Sequence, residues 1–205
     1  MSPTEELTAE ICARAARLVV EEGMDYTGAK RRALRDIGPQ AGRGAELPSN
    51  EQLEDAIREH IDLFHADTQP AELAALRALA LRWMERLAEF RPHLGGAVWR
   101  GTATRLSAVL IDLYCDDPKS AEIGFLNLGI DFDSRSEPGH DEETVLSVEA
   151  RCPELGETVS IHFIVHDHDD LRGALKADPR GQTWRGDAAA LRQRMAADAA
   201  ERDGA

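Results

Sequence analysis

No CxxC pair occurs in this sequence, and its three cysteines, Cys12, Cys115 and Cys152, stand far apart. An odd, scattered set offers neither a disulfide framework nor a zinc knuckle. Buried free thiols are the expectation for all three. No apolar run approaches the roughly 20 residues that span a bilayer. The first residues, Met1 to Glu6, are acidic where a secretory signal is basic. A cytoplasmic protein with no membrane partner is expected. Positive charge is also short: 24 Lys and Arg stand against 38 Asp and Glu, for a net charge of −14. Phosphate contacts dominate nucleic-acid binding, so nucleic acid is a poor partner for so acidic a chain. The GxSxG, Walker A and GxGxxG strings are missing, which removes the common serine-hydrolase, P-loop and dinucleotide signatures. Internal repeats and low-complexity segments are missing too.

What is present is ordinary globular material, 42% hydrophobic and 30% charged over 205 residues. That length allows one full domain with a helical extension. The first half has helical periodicity. Ser2-Pro3-Thr4-Glu5 is a capping-box pattern, and Leu7, Ile11, Ala15, Leu18 and Val19 recur at helical spacing up to Gly23. Asp25 caps a second helix ending near Gly38. It carries a basic cluster, Lys30, Arg31, Arg32 and Arg35, which is either a solvated face or a contact for a phosphate or acidic partner. Residues 39–48 have turn chemistry. Ser49 or Asn50 opens a third helix, with Leu53, Ile57, Ile61 and Phe64 on one face. A long helix over 70–91 then carries an apolar stripe, which must lie against another element.

The period changes in the second half. Residues 97–100 and 106–115 have strand character, joined by a Gly101-Thr102 turn. Asp117-Pro118 starts a short helix through Leu128, and residues 134–142 form a polar loop. Thr144–Arg151 and Thr158–His166 alternate as strands around a Pro153–Gly156 turn. Asp170–Lys176 and Asp187–Ala200 close the chain as helices. The expected class is α+β: a helical N-terminal half, residues 1–68, followed by a mixed sheet with flanking helices, residues 69–205. The 70–91 helix is expected to back the sheet.

Two clusters carry candidate chemistry. His162, His166 and His168 share strand parity, with Asp169 and Asp170 beyond them. Imidazole and carboxylate suit a transition metal, but polar residues at a strand exit, with Asp169 or Asp170 capping the next helix, are the better account. Trp184, Arg185 and Arg180 can cradle a phosphate-bearing ligand by stacking and charge, or pack the last helix. Cys115 has no neighbouring His and is read as structural.

Gly101-Thr102 followed by Ser107-Ala108-Val109-Leu110-Ile111-Asp112-Leu113 resembles the Gly-Ser (or Gly-Thr) plus Asp-x-Asp signature of the nucleotidyltransferase superfamily. More broadly, residues 10–200 are similar to uncharacterised bacterial proteins with a nucleotidyltransferase-like domain behind a helical N-terminal region. Glu22 to Ala33, Phe90 to Leu94, Phe125-Leu126-Asn127, Asp170-Leu171-Arg172 and Arg180-Gly181 with Arg185-Gly186-Asp187 carry the likeness. The resemblance implies a nucleotidyltransferase-like sheet, with Gly101 and Thr102 at the nucleotide phosphates. It also implies Mg²⁺ and a nucleoside triphosphate as cofactors of an active member. The residue after Ser107 and the one two further on are acidic in that pattern; here they are Ala108 and Leu110. The third carboxylate falls near His162. Ala and Leu cannot bind Mg²⁺, and Mg²⁺ prefers oxygen to imidazole. Asp112 shares the strand parity of Ala108 and Leu110. Asp116 shares it too if the strand stays regular. Asp112 and Asp116, with His162, therefore either hold a displaced metal or merely mark where the strand nears solvent.

Three functions follow. The leading expectation is a catalytically degenerate nucleotidyltransferase fold that binds a nucleotide or a partner protein. The second is an active Mg²⁺-dependent transferase of a nucleoside monophosphate to a small molecule or protein, using Thr102 and Asp112. The third is a structural interaction protein working through its helical half.

Overall fold

A computed structural model describes residues 3–38, 47–136, 144–178 and 180–204. The capping residue Ser2, most of the 39–48 loop and residues 137–142 of the polar loop lie outside that set. The chain divides into two compact units. Residues 1–72 and 102–107 form the first, and residues 73–101 and 108–205 form the second. The division falls inside the fourth helix, and the short segment after Gly101 belongs with the helical unit.

The first unit is built from α1 (Pro3–Glu22), α2 (Tyr26–Ile37) and α3 (Asn50–Phe64). Their apolar faces meet in one core that includes Ile11, Ala15, Val19, Ala33, Leu53 and Ile57. Local chemistry sets the helix ends. Gly23, at φ +69°, turns the chain out of α1 while its N–H still bonds the Val19 carbonyl; a left-handed residue at this position is the usual helix stop. The Asp25 side chain accepts the Gly28 N–H at 2.8 Å and starts α2. Ser49 and Gln52 form a reciprocal capping box at α3. Two of the four basic-cluster residues are spent inside this unit. Lys30 bonds the Pro48 carbonyl and Asn50, and Arg32 pairs with Glu22 at 2.5 Å.

Residues 102–107 are stitched to the same unit. Gln69 donates to the Ala103 carbonyl at 2.8 Å, Thr104 donates to the Val20 carbonyl at 3.2 Å, and the Arg105 N–H bonds Glu72 at 2.9 Å. Gly23 is needed here a second time: a Cβ on it would stand 2.5 Å from the Leu106 carbonyl oxygen.

The second unit holds most of α4 (Gln69–Arg86), then β1 (His93–Gly95), α5 (Gly96–Arg100), β2 (Val109–Cys115), α6 (Pro118–Asn127), β3 (Asp133–Ser136), β4 (Thr144–Cys152) and β5 (Glu157–Asp167). It closes with α7 (Leu171–Ala174) and α8 (Ala188–Asp203). The sheet order is β1-β2-β5-β4-β3. β2 and β5 run parallel, and the other neighbours are antiparallel. The class is therefore α+β, a helical N-terminal half followed by a mixed sheet. One sheet face is apolar and covered: Ile111, Leu113, Ile161, Phe163 and Val165 are buried. Phe163 meets Trp83 of α4 at 5.6 Å and Phe125 of α6 at 5.0 Å. The long helix does back the sheet.

Four expectations are corrected. Residues 97–100 are helical rather than extended. The β-prone run Ala97-Val98-Trp99 is overridden because the carbonyls that end α5 find arginines. Arg77, only 2% exposed, donates to the Val98 and Trp99 carbonyls, and Arg194 adds a bond to Trp99. Gly101, at φ +84°, then stops the helix. Next, β2 begins at Val109 instead of 106, because residues up to Ser107 are held by the helical unit. Third, Ser134–Ser136, expected in a loop, pair with β4 as the edge strand β3. Last, β5 ends at Asp167, and the chain turns into a 3-10 segment from His168 to Asp170. His168 therefore lies off the strand; Asp167 supplies the carboxylate that caps this segment, and Asp170 holds the N-cap position of α7 without a side-chain bond.

Candidate functional site

Strand alternation puts Leu110, Asp112 and Tyr114 of β2 on the face away from α4 and α6. The parallel register sets Leu110 beside His162, Asp112 beside Ile164 and Tyr114 beside His166. On the other flank His93 of β1 is opposite Asp112. One carboxylate is thus surrounded by imidazoles and a phenol on three adjacent strands.

Asp112 is the hub. It is 5% exposed. Its Oδ1 lies 2.6 Å from His166 Nε2, and its Oδ2 is 3.1 Å from an Arg185 guanidinium nitrogen. A carboxylate accepts only, so His166 donates through Nε2. Arg185 also donates to the Tyr114 hydroxyl at 2.9 Å. The Tyr114 ring stacks on His166 at 5.3 Å and meets His93 edge-on at 5.4 Å. Burial pushes the Tyr114 phenol above its ordinary value, and the Arg185 hydrogen bond works against that rise.

Arg185 arrives on a loop fastened on both sides of it. Gly186 exchanges two backbone hydrogen bonds with Leu94, at 2.8 and 3.0 Å. It lies so close under the Trp99 ring that a Cβ would collide with it. The Trp99 indole N–H donates to the Thr183 carbonyl at 2.8 Å. Trp184 stacks under the Arg100 guanidinium at 4.4 Å, and Arg100 is paired with Asp178 at 3.0 Å, both side chains buried. The Asp178 carboxyl is held below its ordinary value by the Gln182 backbone N–H first, then by Arg100 and the Arg180 backbone N–H.

The other sequence candidates are placed apart from this hub or are already engaged. Asp116 is exposed in the bend after β2 ends at Cys115, so the parity that would align it with Asp112 does not extend that far. His162 is half-buried on the Asp112 face, and its Nδ1 is 2.9 Å from the Ser147 hydroxyl. The Gly101 N–H closes α5 on the Ala97 carbonyl at 2.9 Å. Thr102 is 1% exposed, and its hydroxyl is 3.0 Å from that of Tyr26. Arg180 is exposed, its N–H bonded to Asp178 at 2.9 Å. Among the described residues, no group of three or more His, Cys, Asp or Glu is placed to hold a metal ion. All three cysteines are free and buried, and burial raises each thiol.

The sequence motifs do not single out Tyr114 or His93. The signal for Tyr114 was available, since it stands two residues beyond Asp112 on one strand. His93 had none, because its strand has only three residues.

The sequence matches no family model and no curated protein. No helix among the described residues is long and apolar enough to cross a membrane.

Proposed function

We propose that this chain is a metal-independent binding protein on a nucleotidyltransferase-like scaffold, taking the phosphates of a nucleotide on the Asp112 face of its sheet. One observation carries the reading: each oxygen of Asp112 is already held by a nitrogen donor, His166 at 2.6 Å and Arg185 at 3.1 Å. A divalent cation needs carboxylate oxygens that are free to turn to it. At the centre of this face the Asp112 carboxylate is closed by a guanidinium and an imidazole, while Glu149, on the same face two strands away, accepts the Ser160 hydroxyl. Around it stand donors that suit an anion: Arg185, His166, His162, and the Ser147 and Tyr114 hydroxyls. Guanidinium to phosphate is among the stronger charge-assisted pairs. The turn at Gly101 and Thr102 is no part of this reading, because the Thr102 side chain is 1% exposed and its hydroxyl meets that of Tyr26.

The test is a thermal-shift and calorimetric screen of the four ribonucleoside triphosphates and tripolyphosphate, with Mg²⁺ and with EDTA. A ligand of the native state raises the midpoint. The expected result is saturable binding that survives EDTA and weakens about tenfold or more in Arg185→Ala. Absence of any shift at millimolar nucleotide would favour an interaction protein working through its helices. Mg²⁺-dependent transfer of a labelled nucleoside monophosphate, abolished by Asp112→Ala, would make the chain a working transferase.

A further inference from the structure

Beside β1 lies a hollow of about 540 Å³, lined by the apolar residues Met84, Ala88, Pro92, Leu171 and Ala189. Its volume is in the range of small-molecule sites, about 300–1,000 Å³, which are typically apolar with a few convergent polar groups. Glu85 and Arg192 also line it, paired with each other at 2.5 Å. The remaining polar lining comes from Arg91, His93 and Asp187, and the Asp187 carboxylate is occupied in accepting the Ala190 N–H at 2.8 Å.

His93 is 6% exposed. Its Nδ1 is 2.9 Å from the Arg91 carbonyl, which can only accept. Nδ1 therefore carries the proton, and in the neutral ring Nε2 keeps its lone pair. Nε2 makes no hydrogen bond among the described residues, and it is not sealed from solvent. A buried imidazole with one fixed tautomer and an open acceptor thus lines an apolar hollow. The backbone that fixes it is unusual. Arg91 is the one non-glycine residue with positive φ among those described, at φ 48° and ψ 58°. An L-residue is strained in this left-handed conformation, and such strain clusters at functional sites. The exposed Arg91 side chain makes no ion pair among the described residues.

We propose that this hollow binds a small organic molecule with an apolar body, a hydroxyl or amine that donates to His93 Nε2, and a carboxylate that pairs with Arg91. This site does not rest on the nucleotide reading, because neither Asp112 nor Arg185 lines it.

The probe is 4-hydroxybenzoate, compared with benzoate and phenol and followed by two-dimensional NMR on the full chain. The expected result is saturable shifts from 4-hydroxybenzoate, with affinity about tenfold weaker for benzoate, which lacks the donor, and for phenol, which lacks the carboxylate. His93→Asn keeps an N–H for the Arg91 carbonyl but has nothing in place of Nε2. It should bind 4-hydroxybenzoate no better than wild type binds benzoate. Ala189→Phe, at an exposed position, fills the hollow and should abolish binding even if His93→Asn does not fold. Arg185→Ala should leave probe binding intact while weakening nucleotide, which separates the two sites. The proposal fails if the wild type gives no saturable shift at tens of millimolar probe. It fails equally if benzoate binds as well as 4-hydroxybenzoate, or if Ala189→Phe has no effect.

Discussion

Asp112 accepts His166 Nε2 at 2.6 Å on one oxygen while Arg185 holds the other at 3.1 Å, so the carboxylate is neutralised by its neighbours and not poised against like charges. The two situations predict opposite responses to removing the charge. A metal ligand crowded by other acids relaxes when it is neutralised, and the protein becomes more stable. Here, Asp112→Asn keeps an acceptor for His166 but turns an amide N–H₂ toward Arg185, donor against donor. Breaking a buried pair from one side is costly, so we expect a loss of about 2–3 kcal/mol. The midpoint should fall by roughly 5–10 °C for a chain of this size, and millimolar Mg²⁺ should leave the wild-type midpoint unchanged. A stabilised Asn variant, or a Mg²⁺-induced rise that the variant loses, would reverse the reading of this site.

That hub was half legible in the sequence. Asp112 could be singled out because it is the lone carboxylate in an apolar run, and strand parity named the face it occupies. Its partners could not be named. Pairing of β2 with β5 spans some fifty residues, and a β-sheet register is not written in either strand alone. Arg185 was visible as a phosphate candidate, but nothing local says that it turns back onto Asp112. The same limit explains α5. Val98 and Trp99 favour a strand, and the decisive contacts come from Arg77 and Arg194, far away along the chain. By contrast, the Asp25 cap and the helix start at Ser49 or Asn50 are legible in the sequence and hold in the structure, because capping is settled within a few residues. The Gly101-Thr102 turn was recognised as a turn, but its hydrophilic atoms were assumed open. The Gly101 N–H closes locally on Ala97, and the Thr102 hydroxyl meets Tyr26 far away along the chain.

Tyr114 reports on the electrostatics of the same hub without any ligand. Burial raises its phenol, Arg185 pulls it back and the Asp112 charge adds to the rise. Only two tyrosines, Tyr26 and Tyr114, contribute to an ultraviolet titration. Arg185→Gln should move the Tyr114 transition further up, and Asp112→Asn should move it down. Stability follows with a defined sign. A group whose folded-state value is raised contributes in full below its ordinary value, here 10.0, and the contribution is lost as pH rises through the raised value. Denaturant melts between neutrality and pH 11 should therefore show an alkaline decline that Tyr114→Phe flattens. Equal declines in both proteins would remove Tyr114 from the account.

The loop that delivers Arg185 has its own pH signature, of the opposite sign. Asp178 accepts the Arg180 and Gln182 N–H groups, both at 2.9 Å, and pairs with Arg100 at 3.0 Å. These bonds hold its carboxyl below the ordinary aspartate value of 3.8. A group lowered in the folded state contributes stability above its unfolded value, and that contribution is lost as pH falls through the folded one. Asp178→Asn keeps the side-chain shape and one acceptor but loses the charge facing Arg100. The stability gap between wild type and this variant should be constant above about pH 5 and close progressively below about pH 4. Trp184 lies under Arg100 at 4.4 Å, so its fluorescence should change over the same interval as the loop loosens. Arg185 rides on that loop two residues beyond Thr183, where Trp99 and Arg100 both attach. The variant should therefore weaken nucleotide binding in the same direction as Arg185→Ala, though less. A gap that stays open down to pH 2 would show that hydrogen-bond geometry, not the Asp178 charge, fixes the loop.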